Sequence, residues 1–453
     1  MAIDQIDTTP VETRDQLVAW LEAGIKPKSA VRAGTEYEKF AFTIEDHRPV
    51  PYRGRRSIHA LLEAMQHLVG WKPIMEGPNI IGLTEATGDR TISLEPGGQF
   101  ELSGAPLEDV HQTWKELAAH MGQLREVARP LGIGFLGIGV TPDWTRADMP
   151  RMPKGRYLIM TRYMPQVGKR GLDMMYRTCT VQTNLDFCSE ADMVKKLRVG
   201  LALQPIATAL FANSPFTESR PNGFLSLRSE IWRDTDPDRC GMLPWAFEDG
   251  MGFERWVDYA LDVPMYFLKR GDDYLDVAGQ RFRDLLAGKL MSHPRERAIM
   301  SDWVNHLTTI YPEVRLKRYL EMRGADAGPW WRLPALPAFW VGILYDDGCL
   351  NAAWDMVKQW TAADRQKLRE EVPRLGFKAT VRHRTALDIA RECLALAHSG
   401  LKHRVRIDRD GNDETKYLRP LDEFVARGKM PAEALLEKFH GPWHGSVDSI
   451  YAQ

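Results

Sequence analysis

Residues 90 to 104 read RTISLEPGGQFELSG: strand, glycine turn, strand, with Glu95 and Glu101 on the two arms. Carboxylates repel, and burying them is costly unless a cation or hydrogen-bond donor compensates. The stretch is therefore either a solvated hairpin face or a place where a metal ion sits between acids. A three-residue loop at 97–99 pairs Glu95 with Glu101, whereas a two-residue loop breaks that pairing. Three further stretches carry the same kind of chemistry. In GTEYEKF, Glu36 and Glu38 are two apart and share one face of a strand. In YRTCTVQTNLDF, Gln182 and Asn184 do the same, as do Glu321 and Arg323 in RYLEMRGAD. Taken singly, each reads as a solvated edge or a structural ion pair. Together they offer hard oxygen ligands on several strands. That donor set suits magnesium, which bridges protein carboxylates to substrate phosphates, and so points to ATP chemistry.

Cationic residues complete the pattern. Arg162, Lys169, Arg170 and Arg177 flank the central strands, Arg228 lies inside the apolar FLSLRSEIW, and Arg323 lies inside YLEMRG. Arginines so placed fork onto carboxylates or phosphates. Lys169 and Arg170 read better as solvated or structural charges, Arg228 and Arg323 as functional ones.

Other chemistries are excluded by their missing signatures. LGIGFLGIG contains GxGxxG at Gly132, Gly134 and Gly137, but a helix precedes it and VTPDW follows, so it reads as a glycine-rich core strand. No GxxxxGK[ST], HExxH or GxSxG occurs.

The elements that must position these groups are mostly legible. A strand is expected over 31–44, a helix over 57–70 between Ser57 and Gly70, and a helix over 107–128. Strands are expected over 156–164 and 175–187, then a long helix over 189–212 starting at Ser189. Residues 213–249 read as a long functional or mobile loop that orders on substrate binding. Helices follow near 252–270 and 296–310, a strand over 315–326, and a largely helical end with stops near Gly376, Gly400 and Gly441. Strands do not alternate regularly with helices, which favours an α+β, mostly antiparallel enzyme fold.

The chain has 453 residues, 44% hydrophobic and 27% charged, an ordinary globular composition. Lys and Arg total 60 against 61 Asp and Glu, so no net charge steers it toward nucleic acid or an anionic membrane. The five cysteines, 179, 188, 240, 349 and 393, form no CxxC, arguing against a disulfide scaffold and for a reducing compartment. The N-terminal MAIDQIDTTPVETRDQ has no long apolar run, so no secretory signal is expected and the location expected is cytoplasmic.

Eight long stretches, GTEYEKF, SLEPGGQFELSG, MMYRTCTVQTNLDF, LALQPIATALFANSPF, PNGFLSLRSEIWRDTD, FERWVDYALDVPMYF, YPEVRLKRYLEMRGAD and PAFWVGILYD, closely resemble the glutamate–cysteine ligases of the plant-type family shared with many proteobacteria. The resemblance covers about 30 to 440. It implies a glutamine synthetase-like fold, a curved, mostly antiparallel sheet forming an active-site funnel with helices packed outside. One catalytic domain over 1–453 is then expected, its helical portion 350–453 packed on it. The implied reaction uses ATP and Mg2+ to join the γ-carboxylate of L-glutamate to the amino group of L-cysteine through a γ-glutamyl phosphate. The alternative is a γ-glutamyl ligase with another amine acceptor. The resemblance implies Glu36, Glu38, Glu95, Glu101 and Glu321 as the metal set, Arg228, Arg323 and Glu95 as catalytic, and Glu36, Gln182, Asn184 and Arg177 near the nucleotide. Glu95 or Asp186 is the candidate base for the amine. The family's HEKF is here Tyr37-Glu38-Lys39-Phe40, which keeps the acid. Plant members carry regulatory disulfides; Cys179 is the candidate counterpart of one such cysteine and Cys349 or Cys393 the candidate partner, with no full match to the plant pattern, so redox control is left open. Whether the enzyme is a monomer or a homodimer is left open.

Overall fold

The computed structural model describes residues 7–452; the reading of the extreme N-terminus as leaderless rests partly on residues outside that range. Its centre is a nine-stranded antiparallel sheet. The strands, in chain order, are β1 (Ala33–Thr43), β2 (Lys72–Glu76), β3 (Asn79–Thr84), β4 (Thr91–Leu94), β5 (Phe100–Ser103), β6 (Ile133–Leu136), β7 (Thr180–Leu185), β8 (Val314–Leu316) and β9 (Leu320–Asp326). Their spatial order is β8-β9-β7-β1-β5-β4-β3-β2, with β6 pairing β1 as well. β1 is long enough to serve successive partners along its length: residues 36–39 pair with β5 and residues 40–43 with β6. The sheet is open and mostly antiparallel, the α+β architecture expected.

Alternation along β1 separates two faces. Glu36 and Glu38 point one way; Tyr37 and Lys39, both buried, point the other. The helix Glu190–Phe211 packs against β9 and is buried over almost its whole length from Leu197 onward. Ser189 caps it, its Oγ accepting from Asp192 N at 3.1 Å. The helix Ile58–Val69 runs from a Ser57 cap, as its spacing predicts.

Several expectations are corrected. Residues 156–164 are not a strand but the middle of the helix Gly155–Val167. Their aromatic and branched content favours a strand, but the buried residues Tyr157, Met160 and Met164 are spaced three and four apart, on one helical face. Residues 175–177 end a second helix, Gly171–Arg177, so the next strand starts only at Thr180. Residues 315–326 form a hairpin rather than one strand, with Arg315 opposite Glu321. Residues 263–270 leave the helix Phe253–Asp262 and end in a short strand, Phe267–Arg270. Gly400 stops nothing: it lies inside the helix Ala386–His403, where a Cβ would meet the Gly342 carbonyl oxygen at 1.8 Å. It is a glycine so that two helices can touch backbone to backbone.

The segment 213–249 is not a loose loop. It contains the helix Leu227–Arg233, and its polar groups are built into the core. Ser214 and Ser226 hydroxyls donate to the two oxygens of buried Asp326, at 2.7 and 2.8 Å. Arg239 pairs with Asp236 at 2.6 Å, both side chains fully buried, and also donates to the Thr309 carbonyl. A segment so satisfied has no need of substrate to order it. Among the described residues all five cysteines are free thiols, so no Cys179 disulfide is present, and no helix is long and apolar enough to cross a membrane.

Candidate active site

One cavity of about 120 Å3 lies on the face of the sheet to which Glu36 and Glu38 point. Its acidic side chains come from two neighbouring strands and a turn. Glu38 stands directly opposite Glu101, because β1 and β5 are in register there. Glu38 accepts from the Thr180 N–H at 2.9 Å. Glu101 accepts from Ser103 Oγ at 2.6 Å and from Ser93 Oγ at 3.3 Å.

The hairpin register differs from the expected one. Ser93, not Glu95, faces Glu101, and Glu95 lies across from Gln99 in the turn. The slip is two residues, so Glu95 and Glu101 still share a face, as diagonal neighbours. Gln99 fixes the turn: its amide donates to the carbonyls of Met175 and Thr178 at 3.1 and 2.9 Å. Burial, together with the charges of Glu101 and Glu95, pushes the Glu38 carboxyl well up. Burial and Glu101 push Glu95 up to about 7.

The cavity is lined by cations as well. Arg156, Arg228, Arg315, Lys317 and Arg323 all line the cavity. Arg323 sits at a β-bulge, where the β9–β7 register shifts between Met322 and Ala325. A bulge re-aims the side chain it carries. The next residue must be a glycine, since a Cβ on Gly324 would meet Gln204 Nε2 at 2.4 Å on the helix Glu190–Phe211. Arg323 donates to Gln182 Oε1 at 2.7 Å and pairs with Glu321. Its guanidinium lies 5.5 Å from the rings of both Trp232 and Tyr311. Arg228 is 2% exposed and donates to the Arg323 carbonyl at 3.1 Å.

Each expected site residue now has a place. Glu36, Glu38, Glu95, Glu101, Gln182, Arg228 and Arg323 line this single cavity. Asn184 supports it from the side, donating to Glu36 Oε1 at 3.2 Å, while Gln182 donates to Glu36 Oε2 at 3.1 Å. Glu321 lies behind the wall, fully buried, with Arg315 forked onto it at 2.7 Å and Lys317 at 3.1 Å. These cations hold its carboxyl well below the usual range, against the effect of burial. Arg177 is not among the lining groups; it pairs with Asp173 and Glu218. Asp186 is also elsewhere, bound by Lys26 at 2.8 Å and by the Arg32 N–H.

Sequence reasoning missed Arg156, Arg315 and Lys317. Arg315 and Lys317 had a signal, two basic residues two apart facing Glu321 once the segment folds as a hairpin. Arg156 had none while its helix was read as a strand.

Among the described residues no three acidic, histidine or thiol groups converge tightly enough to form a ready cage. Magnesium rarely uses such a cage; it keeps waters and takes one or two carboxylates plus substrate phosphates. The facing carboxylates of Glu38 and Glu101 on adjacent strands fit that mode.

Residues 32–453 match the family model described as glutamate–cysteine ligase family 2. The chloroplastic glutamate–cysteine ligase of Arabidopsis thaliana is 56% identical over 448 residues, covering 99% of this chain and 84% of that protein. Chloroplastic glutamate–cysteine ligase B of Oryza sativa subsp. japonica is 53% identical over 450 residues, covering 99% and 88%. A solved glutamate–cysteine ligase from Francisella tularensis, in complex with AMP, superposes with a TM-score of 0.55 at 13% identity, over 93% of this chain and 87% of that one, a likeness of fold alone. The expected cytoplasmic location does not stand against these relatives, which are named chloroplastic.

Proposed function

The chain belongs to glutamate–cysteine ligase family 2, and on that premise we propose how its cavity performs the family's reaction. The enzyme joins the γ-carboxylate of L-glutamate to the amino group of L-cysteine at the expense of ATP, the first step of glutathione synthesis. What supports a detailed reading is one juxtaposition: the acids Glu36, Glu38, Glu95 and Glu101 and the cations Arg156, Arg228, Arg315, Lys317 and Arg323 line one cavity.

A carboxylate is a poor acyl donor because its leaving group would be oxide. Attack of a γ-carboxylate oxygen on the ATP γ-phosphorus releases ADP and leaves a γ-glutamyl phosphate. The cysteine amine then attacks that carbonyl, and phosphate departs. Glu36, Glu38, Glu95 and Glu101 would hold magnesium, which supplies charge neutralisation along the phosphates. Arg323, with Arg315 and Lys317 beside it, receives the moving phosphoryl oxygens. Arg228 and Arg156 are assigned the spectator carboxylate of glutamate. Glu95, near neutrality, is the carboxylate suited to accept the amine's proton. Gln182 and Asn184 orient Glu36. Glu321 is assigned as the anchor of the basic wall rather than a metal ligand, since its oxygens already receive three cations. Arg177 is given no part in nucleotide binding.

The chain is further proposed to act as one catalytic domain with 350–453 packed on it. The close contact of the helices Ala335–Leu344 and Ala386–His403 supports that reading.

The test is product identification by mass spectrometry with ATP, magnesium, glutamate and a panel of amines. An ATP-dependent γ-glutamylcysteine is expected; its absence with folded protein sinks the proposal.

A further inference from the structure

The strand that presents Glu36 and Glu38 to the active site has another side. Tyr37 and Lys39 border a separate cavity of about 270 Å3, between β1 and β6 on one side and the helix Pro431–His440 on the other. Its walls are largely apolar, with Leu117, Phe135, Trp330, Phe424 and Leu435 among them. Glu38 also borders it, but its carboxylate accepts from Thr180 N on the active-site side.

Arg332 lines this rear cavity. It is 3% exposed, and its Nε and Nη2 have no hydrogen-bond partner. Asp326 is the carboxylate whose charge acts on it, yet both Asp326 oxygens already accept from Asn213 N, Ser214 Oγ and Ser226 Oγ. The face of Phe424, 5.7 Å away, is its other polarisable neighbour. Lys39, also buried, donates only to neutral carbonyls, those of Phe100 and Tyr37 at 3.1 and 3.4 Å. A buried guanidinium with bare N–H groups is strongly unfavourable unless an acceptor meets it. A planar fork of donors matches a carboxylate.

We propose that the rear cavity binds a small carboxylate with an apolar body. Its carboxylate meets Arg332, with Lys39 as the second hydrogen-bond donor. Its hydrocarbon part lies against Phe135, Trp330 and Leu435. The site is separate from the ligase reaction and does not depend on the assignment of that chemistry.

Octanoate is the probe, titrated into the full-length protein by calorimetry and by tryptophan fluorescence. One octanoate per chain is expected, undisturbed by saturating L-glutamate and ATP. Arg332→Met should weaken it by about tenfold or more, and octanol, which lacks the charge, should bind weaker by a similar factor. Ala434→Trp, at an exposed position on the rim, should block entry while the protein keeps its fold and ligase activity. If Arg332→Met fails to fold, the Ala434→Trp and octanol arms decide. The proposal is overturned by no saturable binding, by octanol binding as tightly as octanoate, by displacement with L-glutamate, or by binding that Ala434→Trp leaves unchanged.

Discussion

Glu38 on β1 faces Glu101 on β5 directly, a half-buried carboxylate against a buried one on hydrogen-bonded neighbouring strands. Like charges opposed across a ladder destabilise it, so the fold tolerates this pair for what it does. Glu38→Gln keeps an oxygen to accept from Thr180 N and removes the repulsion. It should leave Tm unchanged or raise it by about 1–2 °C, while cutting kcat by roughly 100-fold or more and raising the magnesium requirement. A thermal melt and a magnesium titration of turnover check it; full activity at low magnesium would remove Glu38 from the metal set.

Arg323→Ala should lower kcat/KM by roughly 100- to 1,000-fold, equivalent to about 3–4 kcal/mol of lost transition-state stabilisation. Arg315 still forks onto Glu321, so the wall stays anchored and the near-UV circular dichroism should not change. Unaltered kinetics would show that the bulge aims Arg323 at nothing that matters to the reaction.

Glu321→Gln is expected to act on stability first. It leaves Arg315, Lys317 and Arg323 without their shared carboxylate in a buried setting, a loss of about 3–5 kcal/mol. Urea unfolding should show the midpoint fall well below that of Glu38→Gln. A Glu321→Gln protein as stable as the parent but inactive would instead favour direct contact with metal or substrate.

Acid should weaken the fold through His306. Its Nε2–H donates to the Ala260 carbonyl at 2.7 Å, its ring stacks on Phe282, and its Nδ1 is buried without a partner. Burial lowers its pKa from the ordinary 6.5 to about 4. The unfolded chain therefore binds the proton first. The stability His306 confers is complete above pH 6.5 and is lost as pH falls through 4, about 3 kcal/mol in all. His306→Gln should flatten that part of the stability–pH curve; an unchanged curve would assign the acid sensitivity elsewhere.

The acidic half of the site was readable from the chain because period-two alternation survives any slip of two residues. Glu95 was assigned the wrong partner, yet it stayed on the right face. The basic half was read less well. Arg156 was hidden because Tyr157, Met160 and Met164 sit in a run whose composition favours strands, and tertiary packing decided for a helix. Lys317 was hidden by the tight return before Tyr319, where its N–H donates to the Tyr319 carbonyl at 2.8 Å. Gly400 misled in the opposite way: a glycine after apolar residues usually ends a helix, and only the neighbouring backbone of Gly342 explains it.

The order of strands across the sheet has a consequence for biosynthesis. β7 is flanked by β1, made long before it, and by β9, made long after it. At roughly 5–20 residues per second on the ribosome, the outer edge of β7 waits many seconds between the emergence of Leu185 and that of Leu320. An uncovered strand edge is a template for wrong pairing. A nascent chain truncated before β8 should therefore be a substrate for chaperones, and the catalytic arginines can take their places only when the last quarter of the sheet docks.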